Sequence, residues 1–287
     1  MPEERNSSLD NFLQMIRKSR LMKVGIFLTL AMIIMALFAP FIATHDPYRT
    51  DVRNRLQGPS RDNIMGTDEN GRDIFSRVVH GGRVSVIIGF NVVLFSTLFG
   101  IIVGLIAGYF SKLDNILMRV MDAMMAFKPI LLAIAIMAAL GPAMRNVVIA
   151  LTINYTPRTA RIVRGEVLSV KEETYVKAAQ SLGASTKRII FRHILPNIIS
   201  PIIVQATYIM ALAIFAEAAL SYVGAGTPPP IPSWGNILAD GRAYMRQAPW
   251  MTFFPGLFIM ISILGVNIMG DVLRDYFDPK TDIHEQQ

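Results

Sequence analysis

Long apolar runs, not two-residue alternation, organise this chain. Six stretches carry almost no charge: 22–44, 84–110, 121–140, 144–163, 197–223 and 251–272. A helix rising 1.5 Å per residue needs about 20 apolar residues to cross a hydrocarbon core about 30 Å thick. Lipid satisfies no backbone amide or carbonyl, so each stretch is predicted to be a helix. The pattern therefore predicts an all-α, polytopic membrane protein with six transmembrane helices. Its polar interruptions are few: Lys23 opens the first run, Asp122 and Lys128 lie in the third, and Arg145, Arg158 and Arg161 sit near the ends of the fourth. Glu217 lies in the fifth and Asp271 ends the sixth. The first run follows Arg17, Lys18 and Arg20 and is longer than the apolar core of a cleaved leader, so it is predicted to be an uncleaved anchor.

Orientation follows from where lysine and arginine fall. With the amino terminus inside, 1–21 is a cytoplasmic segment and 22–44 the first transmembrane helix. An external loop with an amphipathic helix then occupies 45–83. A transmembrane core of five helices spans 84–272, with an inner connection at 164–196 and an outer loop at 224–250. A cytoplasmic tail follows at 273–287. The inner connection is basic, holding Arg164, Lys171, Lys177, Lys187, Arg188 and Arg192. The outer 45–83 segment is nearly neutral, its seven arginines facing six acids.

Composition agrees with a membrane protein. Hydrophobic residues make up 52% of 287 and charged residues 17%, against about 25% in an average soluble domain. Too few charges remain to coat a soluble enzyme, and the hydrophobicity excludes disorder. The chain has no cysteine, which excludes disulfides, thiolate metal sites and cysteine nucleophiles. The net charge of +7 then marks the inner connection, not a nucleic-acid partner.

That connection carries clear helix punctuation. Over 172–182, Tyr175, Ala178, Ala179 and Leu182 recur at three- and four-residue intervals on one face. Gly183 suits a helix end, Ser185 can cap a second helix bearing Ile189, Ile190 and Ile194, and Pro196 can open the fifth span. Such a unit can lie on anionic lipid as an amphipathic loop. The small Ala178–Ala179 pair and the compact turn favour docking against a protein partner.

Ala178, Ala179, Gly183, Ile194, Leu195 and Pro196 resemble the EAA loop of permease subunits in binding-protein-dependent ABC importers. Lys177 stands where that family's first glutamate usually does, with Glu172 and Glu173 nearby. The resemblance covers nearly the whole chain. Gly66, Thr67, Asp68, Gly71, Arg72, Asp73, Ser76, Arg77 and 82–85 look like the segment before the second span in the dipeptide, oligopeptide and nickel group. Residues 220–224 with 232–235, then Asn267, Gly270, Asp271, 273–275, Asp278 and Pro279, resemble its outer loop and carboxyl end.

The resemblance implies the type I permease fold and a C-type subunit of an importer for di- or oligopeptides, with nickel or glutathione as alternative solutes. It implies a homologous B-type permease partner, an external solute-binding protein, membrane lipid around the spans, and two ATPase subunits. Those subunits, not this chain, bind ATP and Mg; no cofactor is expected here. The ATPases are expected to couple at Glu172, Glu173, Tyr175, Lys177, Ala178, Ala179, Leu182, Gly183, Ala184, Ser185, Leu195 and Pro196. The implied place is a bacterial or archaeal cytoplasmic membrane, crossed several times, with both termini inside.

Other residues are read on their own chemistry. Gly100, Gly104 and Gly108 share a helix face that admits a second helix closely. Glu217 is a costly intramembrane acid that either pairs across helices or lines the solute path, for which Asn91, Asn154 and Asn267 are further candidates. Asp68, Arg72, Asp73 and Arg77 recur at helical spacing, so intrahelical ion pairs explain them, with a role at the outer gate as the alternative. Residues 227–232, four of them proline, predict a rigid polyproline stretch that forms an outer lip with Trp234 and Trp250. No histidine pair has metal-ligand spacing, and no phosphate loop, HExxH or nucleophile elbow occurs. An ion-driven transporter and a membrane protease remain as alternatives, but each needs intramembrane acids or paired catalytic groups that this sequence does not supply.

Overall fold

The computed structural model describes residues 20–277, and what lies beyond them in the expected cytoplasmic segment and tail is outside the described residues. Eleven α-helices occur among them. They are α1 Arg20–Leu37, α2 Ala39–Ile42, α3 Ile74–Tyr109, α4 Ser111–Met125, α5 Pro129–Leu140 and α6 Met144–Lys171. There follow α7 Thr174–Ser181, α8 Thr186–Ile189, α9 Ile199–Tyr222, α10 Trp234–Gly241 and α11 Trp250–Phe277. Four helical units are long and apolar enough to cross a membrane: Arg20–Leu37, Ile74–Tyr109, the run Thr186–Tyr222 and the last helix. A fifth is added if α4 and α5 count as one broken span. The fourth expected span, 144–163, lies in α6, whose Arg145, Arg158, Arg161, Arg164 and Lys171 lower its apolar character.

Two boundaries differ from the hydropathy reading, each for a local reason. The second span begins ten residues early, because the Asp73 carboxylate caps α3 by accepting from the Ser76 amide at 2.8 Å. At 36 residues, α3 is about 54 Å long and projects well beyond the hydrocarbon. The third expected span, 121–140, is not one helix. α4 and α5 meet at 89°. Proline disfavours helical backbone in the residue before it, and Lys128 is extended (φ −61°, ψ 129°) ahead of Pro129.

The helices pack where side chains are small. The most extensive interface joins α3 to α6. A Cβ placed on Gly100, Gly104 or Gly108 would come within 2.5–2.7 Å of Thr159, Val163 or Val167, respectively. Only glycine allows that approach, which gives dispersion contacts in lipid, where no hydrophobic drive exists. α1 and α11 meet the same way: Gly25 faces Ile268 and Gly265 faces Leu28. Three apolar cores result, one under α10 around Trp234, one between α3, α6 and α9, and one beneath α7 and α8.

Candidate functional site

The end of the bundle expected to face the cytoplasm, termed the inner end and its opposite the outer, is built by three turns of backbone chemistry. α6 runs to Lys171, whose ammonium donates to the Tyr109 carbonyl (3.1 Å) and stands 5.3 Å over the Tyr109 ring, joining the ends of α3 and α6. The chain reverses at Glu172 and Glu173, and α7 follows. α7 ends in a Schellman turn: the Gly183 amide donates to the Gln180 carbonyl (2.9 Å) and the Ala184 amide to the Ala179 carbonyl (3.0 Å). Gly183 has φ +79°, a conformation that costs little only without Cβ. The Ser185 hydroxyl then accepts from the Arg188 amide and opens α8.

Of the residues expected to couple, Ala179, Ala184 and Leu195 are half-buried; the others are exposed, Leu182 to 87%. The expected face of Tyr175, Ala178, Ala179 and Leu182 therefore points mostly outward. The residue that points inward is Val176, which is fully buried and which the spacing did not single out. It packs in a core with Val163 and Val167 of α6 and Ile189, Ile194 and Ile198 beyond the turn. The signal for it was the one branched aliphatic residue in this short helix. Lys177 pairs with Glu172 at 2.8 Å, in solvent. That hydrogen bond, with the lysine's charge, holds the Glu172 carboxyl below its ordinary value. Burial pushes the Tyr175 phenol up.

The route from α8 into the fifth span is not α-helical. Ile190–Ile194 form a π turn and Leu195–Ile198 a 3-10 turn before α9 begins. Pro196 lacks an amide, and the Asn197 side chain donates instead to the His193 carbonyl at 2.6 Å.

At the outer end the structure corrects the reading of Asp68, Arg72, Asp73 and Arg77 as one helix, and of an amphipathic helix in the outer loop. Asp68 lies in a turn closed by the Thr67–Asp73 bridge, and α3 begins only at Ile74. Gly71, at φ +72°, makes that turn; a Cβ there would strike the Asp51 carbonyl. Asp68 is fully buried and accepts from both Arg72 (2.7 Å) and Arg77. Both guanidiniums also reach Asp240 of α10, at 3.7 and 3.3 Å. The ion pairs are thus tertiary and tie the 45–73 loop to the 234–241 helix. Beside them, burial and the neighbouring Asp68 raise the Glu69 carboxyl above its ordinary value.

The outer lip also differs from expectation. Trp234 is not at the interface but fully buried, its ring nitrogen donating to the Val78 carbonyl (2.8 Å). Trp250 donates to the Thr67 carbonyl (3.1 Å). The proline run turns at Pro229 and Pro230 instead of staying extended. Glu217 is wholly buried, and its carboxylate accepts from the hydroxyls of Ser85 (3.0 Å), Ser221 (2.8 Å) and Thr227 (3.4 Å). It knots α3, α9 and the outer loop together. Of the path candidates, Asn91 lines a cleft of about 880 Å³ between α3 and α6, walled mainly by Phe95, Phe99, Val148 and Thr152. Glu217 and Asn154 do not reach that cleft; Asn154 donates to the Pro129 carbonyl (2.9 Å), and Asn267 is exposed on α11.

Helices of membrane-crossing length, with a compact helical pair at one end, define a multi-pass membrane bundle. The chain belongs to the family described as the binding-protein-dependent transport system inner membrane component, which matches residues 96–283. Residues 7–59 match the N-terminal transmembrane domain of oligopeptide transport permease C. A putative peptide transport system permease of Brucella suis is 47% identical, covering 98% of this chain and 95% of that protein. The dipeptide permease DppC of Alkalihalophilus pseudofirmus is 46% identical (92% and 88%), and the oligopeptide permease OppC of Bacillus subtilis 42% (92% and 87%). Among solved structures, the MetNI methionine ABC transporter in inward-facing conformations matches with a TM-score of 0.60 at 18% identity, over 71% of this chain and 98% of that one. That likeness shows the ABC importer permease fold.

Proposed function

We propose that this chain forms half of the solute path in an ATP-driven importer of di- and oligopeptides, beside a homologous B-type subunit. Two ATPase subunits, holding ATP and magnesium, dock on the 166–196 connection, and an external binding protein delivers the solute. Both termini face the cytoplasm. The observation that carries the docking is the exposed apolar set Tyr175, Ala178 and Leu182 on a helix whose shape is fixed from within. Leu182, 87% exposed, extends Tyr175 and Ala178 into one apolar patch of the kind that marks a protein-interaction site. The peptide solute is supported by the names of relatives 42–47% identical over most of the chain. The cleft with Asn91, not Glu217, is the wall offered to the path.

The test is A178E. A carboxylate in the docking face leaves the chain inserted, because position 178 is exposed, but strips the ATPase from the purified complex and abolishes uptake. Full retention of the ATPase by this variant sinks the docking site. Uptake of a dipeptide, a tetrapeptide, glutathione and nickel by the intact complex separates the solute classes, with peptides expected to be taken up.

A further inference from the structure

The docking helix is joined to the membrane helices by two routes. One route is through space. Val176 is the one buried residue of α7, and it shares a core with Val163 and Val167, one turn apart on α6, and with Ile189, Ile194 and Ile198. Those two valines are the same ones that receive Gly104 and Gly108 of α3, so a push on Val176 meets two helices already in closest contact. The other route is along the chain, through the π and 3-10 turns at 190–198. Such departures inside a helical run weaken its hydrogen-bond ladder and mark hinges.

We propose that Val176 is the positioning residue that delivers movement of the docking helix to α6 and α3, across the core it shares with the 190–198 junction that leads into α9. The inference rests on the ATPase docking at 166–196. Val176 itself is fully buried, whereas Tyr175 and Ala178 are exposed on the docking face. Its role is therefore to transmit, and it separates from the role of its neighbours.

The chain has no cysteine, so two labels can be introduced without background. Ser169→Cys on α6 and Gln180→Cys on α7, both exposed, carry spin labels. With Val176 present, their distance is single and narrow, and unchanged when ATP and vanadate are added to the reconstituted complex. In V176A the distribution broadens, the ATPase stays bound, and uptake of radiolabelled dialanine per ATP hydrolysed falls about ten-fold, the size of a typical coupling between sites. V176I restores both readouts, which a general loss of folded protein would not allow. A narrow distance in V176A, an unchanged ratio of uptake to hydrolysis, or release of the ATPase by V176A each overturns the proposal. The distance can be read on the chain alone, so failure of docking, seen with A178E, is distinct from failure of transmission.

Discussion

At the outer end Asp68, Arg72, Arg77 and Asp240 face one another inside the fold, whereas at the inner end Glu172 and Lys177 pair in open solvent. The tryptophans repeat the contrast: Trp234 and Trp250 turn inward to backbone carbonyls, while Leu182 and Tyr175 turn out. Buried charges are tolerated only when every partner is present, so the outer end is a set of interlocked ties. Exposed groups on a stiff turn leave the inner end complete in shape but with an uncovered surface. One end holds its own loops; the other is shaped to be held.

The sharpest way to break this contrast is to remove Asp68. In D68N, Arg77, only 3% exposed, loses its buried carboxylate and keeps only a longer contact to the half-buried Asp240. Removing one member of a buried pair costs about 3–5 kcal/mol. The expected result is a large fall in Tm in detergent, partly recovered in D68N/R77M, where no orphaned charge remains. A Tm equal to that of the parent would mean the outer ties do not stabilise the molecule.

Gly183 gives the second largest effect, at the opposite end and by backbone strain alone. Nothing lies within 4 Å of a Cβ built there, so only the φ of +79° resists a side chain. Holding a β-branched residue in that region costs about 1–3 kcal/mol. Gly183→Val is therefore expected to release the ATPase with a smaller Tm change than D68N. Gly183→Asn, which adopts this conformation more readily, retains the ATPase. Equal loss in both variants would assign the effect to contact instead of conformation.

The two ends also titrate with opposite sign. Burial raises Glu69 above its ordinary 4.5, so its contribution to stability is complete below that value and is lost as pH rises through the higher folded value. Glu69→Gln, neutral at every pH, is expected to raise Tm at neutral pH, with the gain vanishing near pH 4. A gain that persists in acid would place its cause in packing, not charge.

Most of the architecture was legible because hydropathy and punctuation act locally. Apolar length located the spans, Gly183 and Ser185 marked the inner turn, and Gly100, Gly104 and Gly108 pointed to a close helix contact. What was misread depends on distant partners or on one backbone angle. The spacing of Asp68, Arg72 and Arg77 suits a helix equally well, and only the turn at Gly71 and the approach of Asp240, some 160 residues on, shows that the pairs are tertiary. Trp234 carries an amphipathic ring that belongs at an interface until the Val78 carbonyl takes its donor. Lys128 before Pro129 was a visible break, yet apolar composition on both sides masked it. Val176 was hidden because a short helix has two plausible faces, and which is buried depends on α6.

The smallest expected effect is at Lys177, and it tests whether the inner end needs its ion pair at all. Glu172 and Lys177 are 72% and 56% exposed, so water and salt screen their attraction and ordering two long side chains opposes it. The lysine holds Glu172 below 4.5, so this stabilisation is present above that value and fades as pH falls through the lower folded value. Lys177→Ala should leave Tm unchanged within error at neutral pH and change nothing at acid pH or in high salt. Lys177→Glu puts a like charge beside Glu172, yet solvent can separate the two chains, so the fold should again hold. If the ATPase leaves in K177E but not in K177A, charge at this position is read by the partner and not by the fold. If Tm falls in both, the inner end relies on internal ties as the outer end does, and the contrast between the two ends fails.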